Sequence, residues 1–238
     1  MSVLTASSMP KPPNKSVKST SPADESQFSA ARLKPIPREF FDRDPRVVAR
    51  ELLGKVLLRR EQRSIMAGRI VETEAYMGTG DPAAHAAAGR TARNAVLFGP
   101  PGYAYVYFIY GNHYCLNVSC LPEGDAGCVL IRALEPLAGI EQMAQARGMD
   151  WAGDSPVPTR TLRLLTSGPG RLAQALGISR ERDNCKDLLD ASSDLQMCDD
   201  GFRPAKIAST PRVGITKAVE HAYRYIIAEN TFVSGKGK

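Results

Sequence analysis

Lysine is missing from the whole middle of this 238-residue chain: none lies between Gln62 and Cys185. Over that stretch there is no side-chain amine of the kind that Schiff-base catalysis needs. Cysteine is scarce. The five residues Cys115, Cys120, Cys128, Cys185 and Cys198 are odd in number and form no C-x-x-C pair, which argues against a disulfide framework or a structural zinc and fits a reducing compartment. Only three histidines occur, His85, His113 and His221, none at metal-ligand spacing from another, so no metal site is expected. No apolar run approaches the roughly 18 residues of a membrane helix, and Met1 to Arg32 lacks the apolar core of a signal peptide. No membrane partner is expected.

What is present is ordinary for one globular domain: 43% hydrophobic and 24% charged residues. The net charge of +6 and pI of about 9.1 suit a polyanionic partner, whose condensed counterions are released on binding. The same balance also describes a mildly basic enzyme with no such partner. Residues 1–34 are rich in Ser, Pro, Lys and Ala and poor in large apolar side chains, so a disordered tail is expected there. A single folded domain is expected over 35–238.

Along the folded part, Asp44 caps a helix that has Pro45 at its first position and Gly54 as its stop, with Val48, Leu52 and Leu53 on one side. The pattern predicts strands at Val56–Arg60, Gly68–Tyr76, Tyr103–Tyr110, Tyr114–Cys120 and Cys128–Leu134. It predicts a helix over Pro136–Arg147, an exposed loop over Met149–Thr159, and short helices at Arg160–Leu165 and Arg171–Leu176. Further strands are expected near Ala205–Ala208, Arg212–Ile215 and Tyr223–Ala228. Together these predict an α+β fold: one compact domain around a curved, mostly antiparallel sheet, with a protruding β-hairpin and surrounding helices.

Four stretches carry chemistry. Read as a strand, Arg69 to Tyr76 puts Ile70, Glu72, Glu74 and Tyr76 on one face. A buried carboxylate there could act as a general base; an edge strand with a solvated Glu face fits the same pattern. Paired carboxylates also occur in glycoside hydrolases. Residues two apart on a strand, however, lie about 6.5–7 Å apart at Cα and do not flank a scissile bond from opposite sides. In the second stretch, Tyr103, Tyr105 and Tyr107 alternate along a strand, and Tyr110 sits beside a Gly111-Asn112 turn. An aromatic at a hairpin tip is poorly placed for a core and well placed to wedge between stacked bases. A three-residue turn through His113, pairing Tyr107 with Asn117, is expected because it gathers polar and aromatic groups on one face. His85, in an Ala-rich loop, is either incidental or part of a site. Arg132, the only charge in the run Cys128 to Leu134, needs an anionic partner, in a structural pair or in a site.

In order along the chain stand Gly68-Arg69-Ile70-Val71-Glu72-Thr73-Glu74-Ala75-Tyr76, His85, Thr91-Ala92-Arg93-Asn94 and the Tyr105 to Gly111 hairpin. Leu116-Asn117-Val118, Val129 to Pro136, Ser167-Gly168-Pro169-Gly170 and Pro211-Arg212-Val213-Gly214-Ile215 follow. Over about Arg38 to Ser234 this series resembles the alkyladenine (3-methyladenine) DNA glycosylase family. The resemblance implies a monofunctional, water-using glycosylase that flips alkylated or deaminated purines from double-stranded DNA and leaves an abasic site. It implies a compact mixed α/β domain without metal or organic cofactor. Glu74 would be the general base; Arg132 and the carbonyl of Val233 would help to hold the water. Tyr76, His85 and Tyr107 would sandwich the base, Asn117 would crowd the 2-amino group of guanine, and Tyr110 would intercalate. A monomer is expected, in the cytoplasm on the nucleoid if bacterial and in the nucleus if eukaryotic. Asn112 departs from the methionine that many relatives carry after the tip glycine. A non-catalytic damaged-DNA-binding protein on the same fold is the alternative.

Overall fold

The computed structural model describes residues 28–62, 64–109, 111–151 and 157–235. Most of the expected tail therefore lies outside the described residues. Its last part is ordered: Ala30–Arg32 form a 3-10 turn, and strand β1 (Lys34–Pro35) begins one residue before the expected boundary.

Helix α1 (Pro45–Leu52) follows its local signals. The carboxylate of Asp44 accepts the N–H of Arg46 at 2.8 Å, and Gly54 turns the chain out at φ +91°. Strands β2 (Val56–Arg60), β3 (Ile65–Tyr76), β4 (Ala104–Ile109), β5 (His113–Cys120) and β6 (Gly127–Ala138) follow. β6 overrides the helix expected from Pro136. Pairing with β3 carries the strand on to Ala138, and helix α2 starts only at Ile140 and runs to Ala146. Between them Gly139, at φ +73°, lies so close to β3 that a Cβ would sit 2.5 Å from the carbonyl of Ile65. Glycine alone satisfies both the dihedral and the clearance.

The expected Met149–Thr159 loop is cut short at its far end by helix α3 (Thr159–Thr166). Met149, Trp151 and Val157 pack against the core, so the ends of this loop are held by apolar contact rather than simply exposed. Helices α4 (Pro169–Ala175) and α5 (Arg180–Asp183) come next, then β7 (Leu195–Asp199), β8 (Ile207–Thr210) and β9 (Arg224–Ile227). Arg212–Ile215, expected as a strand, is irregular chain. β1, β7 and α5 had no counterpart in the sequence pattern.

Every strand pair is antiparallel. The sheet runs β1-β7-β2-β3-β6-β5-β4, with β9 paired to β3 and β8 to β9. α1 packs on β3 and β6, and α3 and α4 pack on β6, covering one apolar core that includes Leu52, Val71, Ile131, Leu134, Leu165 and Leu172. All five cysteines are free thiols. Among the described residues no helix is long and apolar enough to cross a membrane.

Two irregularities place the site. Between β3 and β6 the register shifts at Ile70/Glu72 and again at Glu72/Thr73, leaving Val71 and Arg132 without Cα partners. Such shifts re-aim side chains, and here Arg132 reaches both carboxylates. In the hairpin, Ile109 pairs with His113 and Tyr105 with Asn117, so the three connecting residues are 110–112. The expected turn through His113 is wrong by two residues. The N–H of Asn112 bonds the carbonyl of Ile109 at 3.4 Å, and Gly111 takes φ +73°, which closes the loop one step earlier. A slip of two keeps the face, so Tyr105, Tyr107 and Asn117 still point the same way.

Candidate active site

β3 delivers two wholly buried carboxylates, each 0% exposed. Glu72 is saturated. Its Oε1 accepts Arg132 Nε and Arg224 Nε at 2.7 Å each and Ser234 Oγ at 2.9 Å, and its Oε2 accepts the N–H of Ser234 at 2.6 Å. Burial pushes its carboxyl up, but Arg132 and Arg224 outweigh burial and hold it below the ordinary range. Glu74 is less fully used. Oε1 accepts the N–H of Val213 at 2.7 Å and faces Arg132 Nη1 at 3.2 Å; Oε2 accepts the hydroxyl of Tyr76 at 2.9 Å. Its three partners, Tyr76, Arg132 and Val213, all line one cavity of about 700 Å³. The carboxylate thus stands directly behind that wall. Ile70, expected beside the carboxylates, lies in the main apolar core, separated from them by the register shift.

The rest of the wall is aromatic. His85 Nδ1 lies 2.9 Å from the hydroxyl of Tyr105, and its ring meets Tyr107 edge-on at 4.4 Å between centroids. Tyr105 and Tyr107 lie 5.6 Å apart. Burial and the nearby Arg93 push the His85 imidazole below its ordinary pKa, so the ring is neutral at neutral pH. Burial, and for Tyr76 also the Glu74 carboxylate, raise the phenols of Tyr76 and Tyr107, and both remain protonated. Asn117, also in the wall, is 2% exposed. It donates from Nδ2 to the carbonyl of Tyr105 at 3.2 Å, and its Oδ1 lies 3.8 Å from Cys128 Sγ. Burial pushes the Cys128 thiol up to about 12, which leaves it a donor.

The structure thus brings Glu74, Arg132, Tyr76, His85, Tyr107 and Asn117 together at one cavity. Val233 stands behind it: its carbonyl accepts Ser167 Oγ and Arg163 Nη2, each at 3.3 Å, and Ser167 lines the wall. Tyr110 lies outside the described residues. Tyr103, expected with the other tyrosines, is drawn away by a bridge to Asp187 and by the Arg38 guanidinium over its ring.

Several site residues had no visible role in the sequence. Asn94 holds the His85 loop through bonds to the carbonyls of His85 and Gly89, both 3.0 Å. Arg224 shares Glu72 with Arg132 across 152 residues of chain. Lys217 lines the cavity, so the lysine-free middle of the sequence does not leave the site without an amine. Only the Thr91-Ala92-Arg93-Asn94 motif hinted at any of these.

A methylpurine-DNA glycosylase family profile matches residues 39–231. A protein of Koribacter versatilis is 64% identical over 208 residues, covering 87% of this chain and 97% of its own length. One from Burkholderia lata is 48% identical, covering 84% of this chain and 91% of its own. One from Methanoculleus marisnigri is 44% identical, covering 84% and 98%. All three are provisionally named 3-methyladenine DNA glycosylases. The match takes in both carboxylates, the aromatic wall and the Val213 loop, and the chain belongs to the methylpurine-DNA glycosylase family.

Proposed function

We propose that this chain is a monofunctional DNA glycosylase that acts as a monomer on duplex DNA. It turns a damaged purine into the aromatic cavity and hydrolyses its bond to deoxyribose, leaving an abasic site. The observation that carries this reading is Glu74, a buried carboxylate with acceptor capacity to spare, set behind an aromatic wall large enough for a base. An N3- or N7-alkylated purine is electron-poor and cationic, so it stacks on Tyr76, His85 and Tyr107. The neutral His85 sets no like charge against it.

Alkylation also makes the base a good leaving group. Water held near Arg132 and the Val233 carbonyl gives its proton to Glu74 while its oxygen bonds C1′. The glycosidic bond breaks with its electron pair on the base. Asn117 crowds the 2-amino group of normal guanine, and Tyr110 fills the space the base leaves. Tyr105→Phe removes the hydroxyl that holds His85. It is expected to slow base release about fivefold, the equivalent of about 1 kcal/mol, in a single-turnover assay.

The test is single-turnover release from duplexes carrying one 3-methyladenine, one 7-methylguanine or one hypoxanthine. An alkali-labile abasic strand that stays whole until alkali is added is the expected product. Release of alkylated bases only would restrict the substrates to those with leaving-group charge. Tight, salt-sensitive binding with no release from any duplex would overturn the reading in favour of a damage-binding protein.

A further inference from the structure

Arg212 and Asp81 are 131 residues apart in sequence, yet their side chains meet at 0% and 2% exposure. Nη1 pairs with Oδ2, and Nη2 donates to Oδ1 at 3.0 Å, so the contact is a bidentate fork. Nη1 also donates to the carbonyl of Ala75 at 3.0 Å. Asp81 accepts the backbone N–H groups of Met77 at 3.2 Å and Ala83 at 3.0 Å. The guanidinium lies over the ring of Tyr76, 4.7 Å from its centroid. Its neighbour in sequence, Val213, supplies the N–H that Glu74 accepts.

Stability alone does not account for this arrangement. A buried ion pair is often no more stabilising than apolar packing of the same volume, and Arg212 Nε is buried without a partner, which is unfavourable. What the fork does is join three segments that each deliver part of the site. These are the end of β3 with Tyr76, the 77–85 loop with His85, and the 211–217 loop with Val213.

We propose that the Arg212–Asp81 pair is a positioning device for the reaction, setting the Tyr76 ring against the base and the Val213 N–H against Glu74. The proposal rests on the glycosylase reading above. It reaches Glu74 by two routes, through the amide of Val213 and through Tyr76, whose hydroxyl donates to Oε2. A misplacement of about 1 Å at reacting groups costs on the order of 10²-fold in rate.

The test measures single-turnover release of 7-methylguanine by Arg212→Gln, Arg212→Lys and Asp81→Asn. Rates are normalised to the active fraction by titration with abasic duplex, so unfolded protein does not count. Arg212→Gln and Asp81→Asn are expected to lose about 10²-fold in the rate at saturation, with half-saturation little changed. Arg212→Lys, which keeps the charge without the fork, is expected to recover part of that loss. In a Glu74→Gln background, Arg212→Gln should cost clearly less than its about 10²-fold in the wild type, because the route through Glu74 is already closed and only the hold on the Tyr76 ring is left to lose.

Rates near wild type for Arg212→Gln and Asp81→Asn would overturn the proposal. So would a full loss added on top of Glu74→Gln, which would show that the pair does not act through Glu74. If the wild-type protein releases no base at all, the glycosylase reading fails, and the proposal falls with it.

Discussion

Glu74→Gln is expected to bind damaged duplex as tightly as the wild type and to release the base about 10³-fold more slowly. Glutamine has the same length, so its amide oxygen can keep the Val213 N–H, and its amide N–H₂ can donate to the Tyr76 oxygen. The wall and its apolar backing stay in place. What is lost is the negative charge that, in the proposed reaction, receives the proton of water and faces oxocarbenium character at C1′. The neighbouring carboxylate is a poor substitute, because Glu72 already takes four donor bonds, two of them from the Arg132 and Arg224 guanidinium groups that hold its charge. Single-turnover release, paired with a binding isotherm on the same duplex, checks both halves. A rate within tenfold of wild type would remove Glu74 from the reaction.

Arg132→Met is expected to lose stability and activity together. Arg132 is 7% exposed and contacts both carboxylates, at 2.7 Å for Glu72 and 3.2 Å for Glu74. Removing one member of a buried ionic group leaves charge uncompensated and costs about 3–5 kcal/mol, or roughly 10 °C in Tm for a domain of this size.

The loss has a predictable pH dependence. In the wild type, Glu72 is held below its ordinary value by Arg132 and Arg224 against burial. Its contribution is therefore fully present above about pH 4.3 and is lost as pH falls through the depressed folded value. Without Arg132, burial counts for more and the advantage of the charged form shrinks. The stability gap between the two proteins should be widest near neutral pH and should narrow in acid, as Glu72 takes up its proton in both. Urea titrations at pH 7 and at pH 3 check the sign; a gap that widens in acid would refute it.

What could be read from the sequence was what is encoded locally. The Asp44-Pro45 cap, the ends of β2 and the alternation of Tyr105 and Tyr107 each depend on neighbours a few residues away. The family motifs likewise pointed to the residues that now line one cavity. What could not be read depends on distant pairing. Pro136-Leu137-Ala138 has helix-start character, yet β3 supplies ladder partners across the sheet and draws it into β6. β7 is short and flanked by aspartates, and it exists because β1 and β2 close on it from both sides. The hairpin register was set by where the loop closes rather than by the polar grouping expected of it. Apart from Tyr76 and Arg132, the donors on the carboxylates came from Val213, Arg224 and Ser234, more than 130 residues downstream; no spacing rule links them to β3.

The origin of those donors bears on the life of the chain during synthesis. Of the four donor bonds on Glu72, three come from Arg224 and Ser234. Ribosomes add about 5–20 residues per second, so the 162 residues separating Glu72 from Ser234 take roughly 8–30 s to appear. Until then the two acids have only Arg132 and, for Glu74, the Tyr76 hydroxyl, and the Val213 amide that holds Glu74 arrives 139 residues after it. A nascent chain, or one broken off before Arg224, carries the tyrosine wall without its charge-balanced acids. The charge balance of the site is therefore completed only after the segment from Val213 to Ser234 has been made.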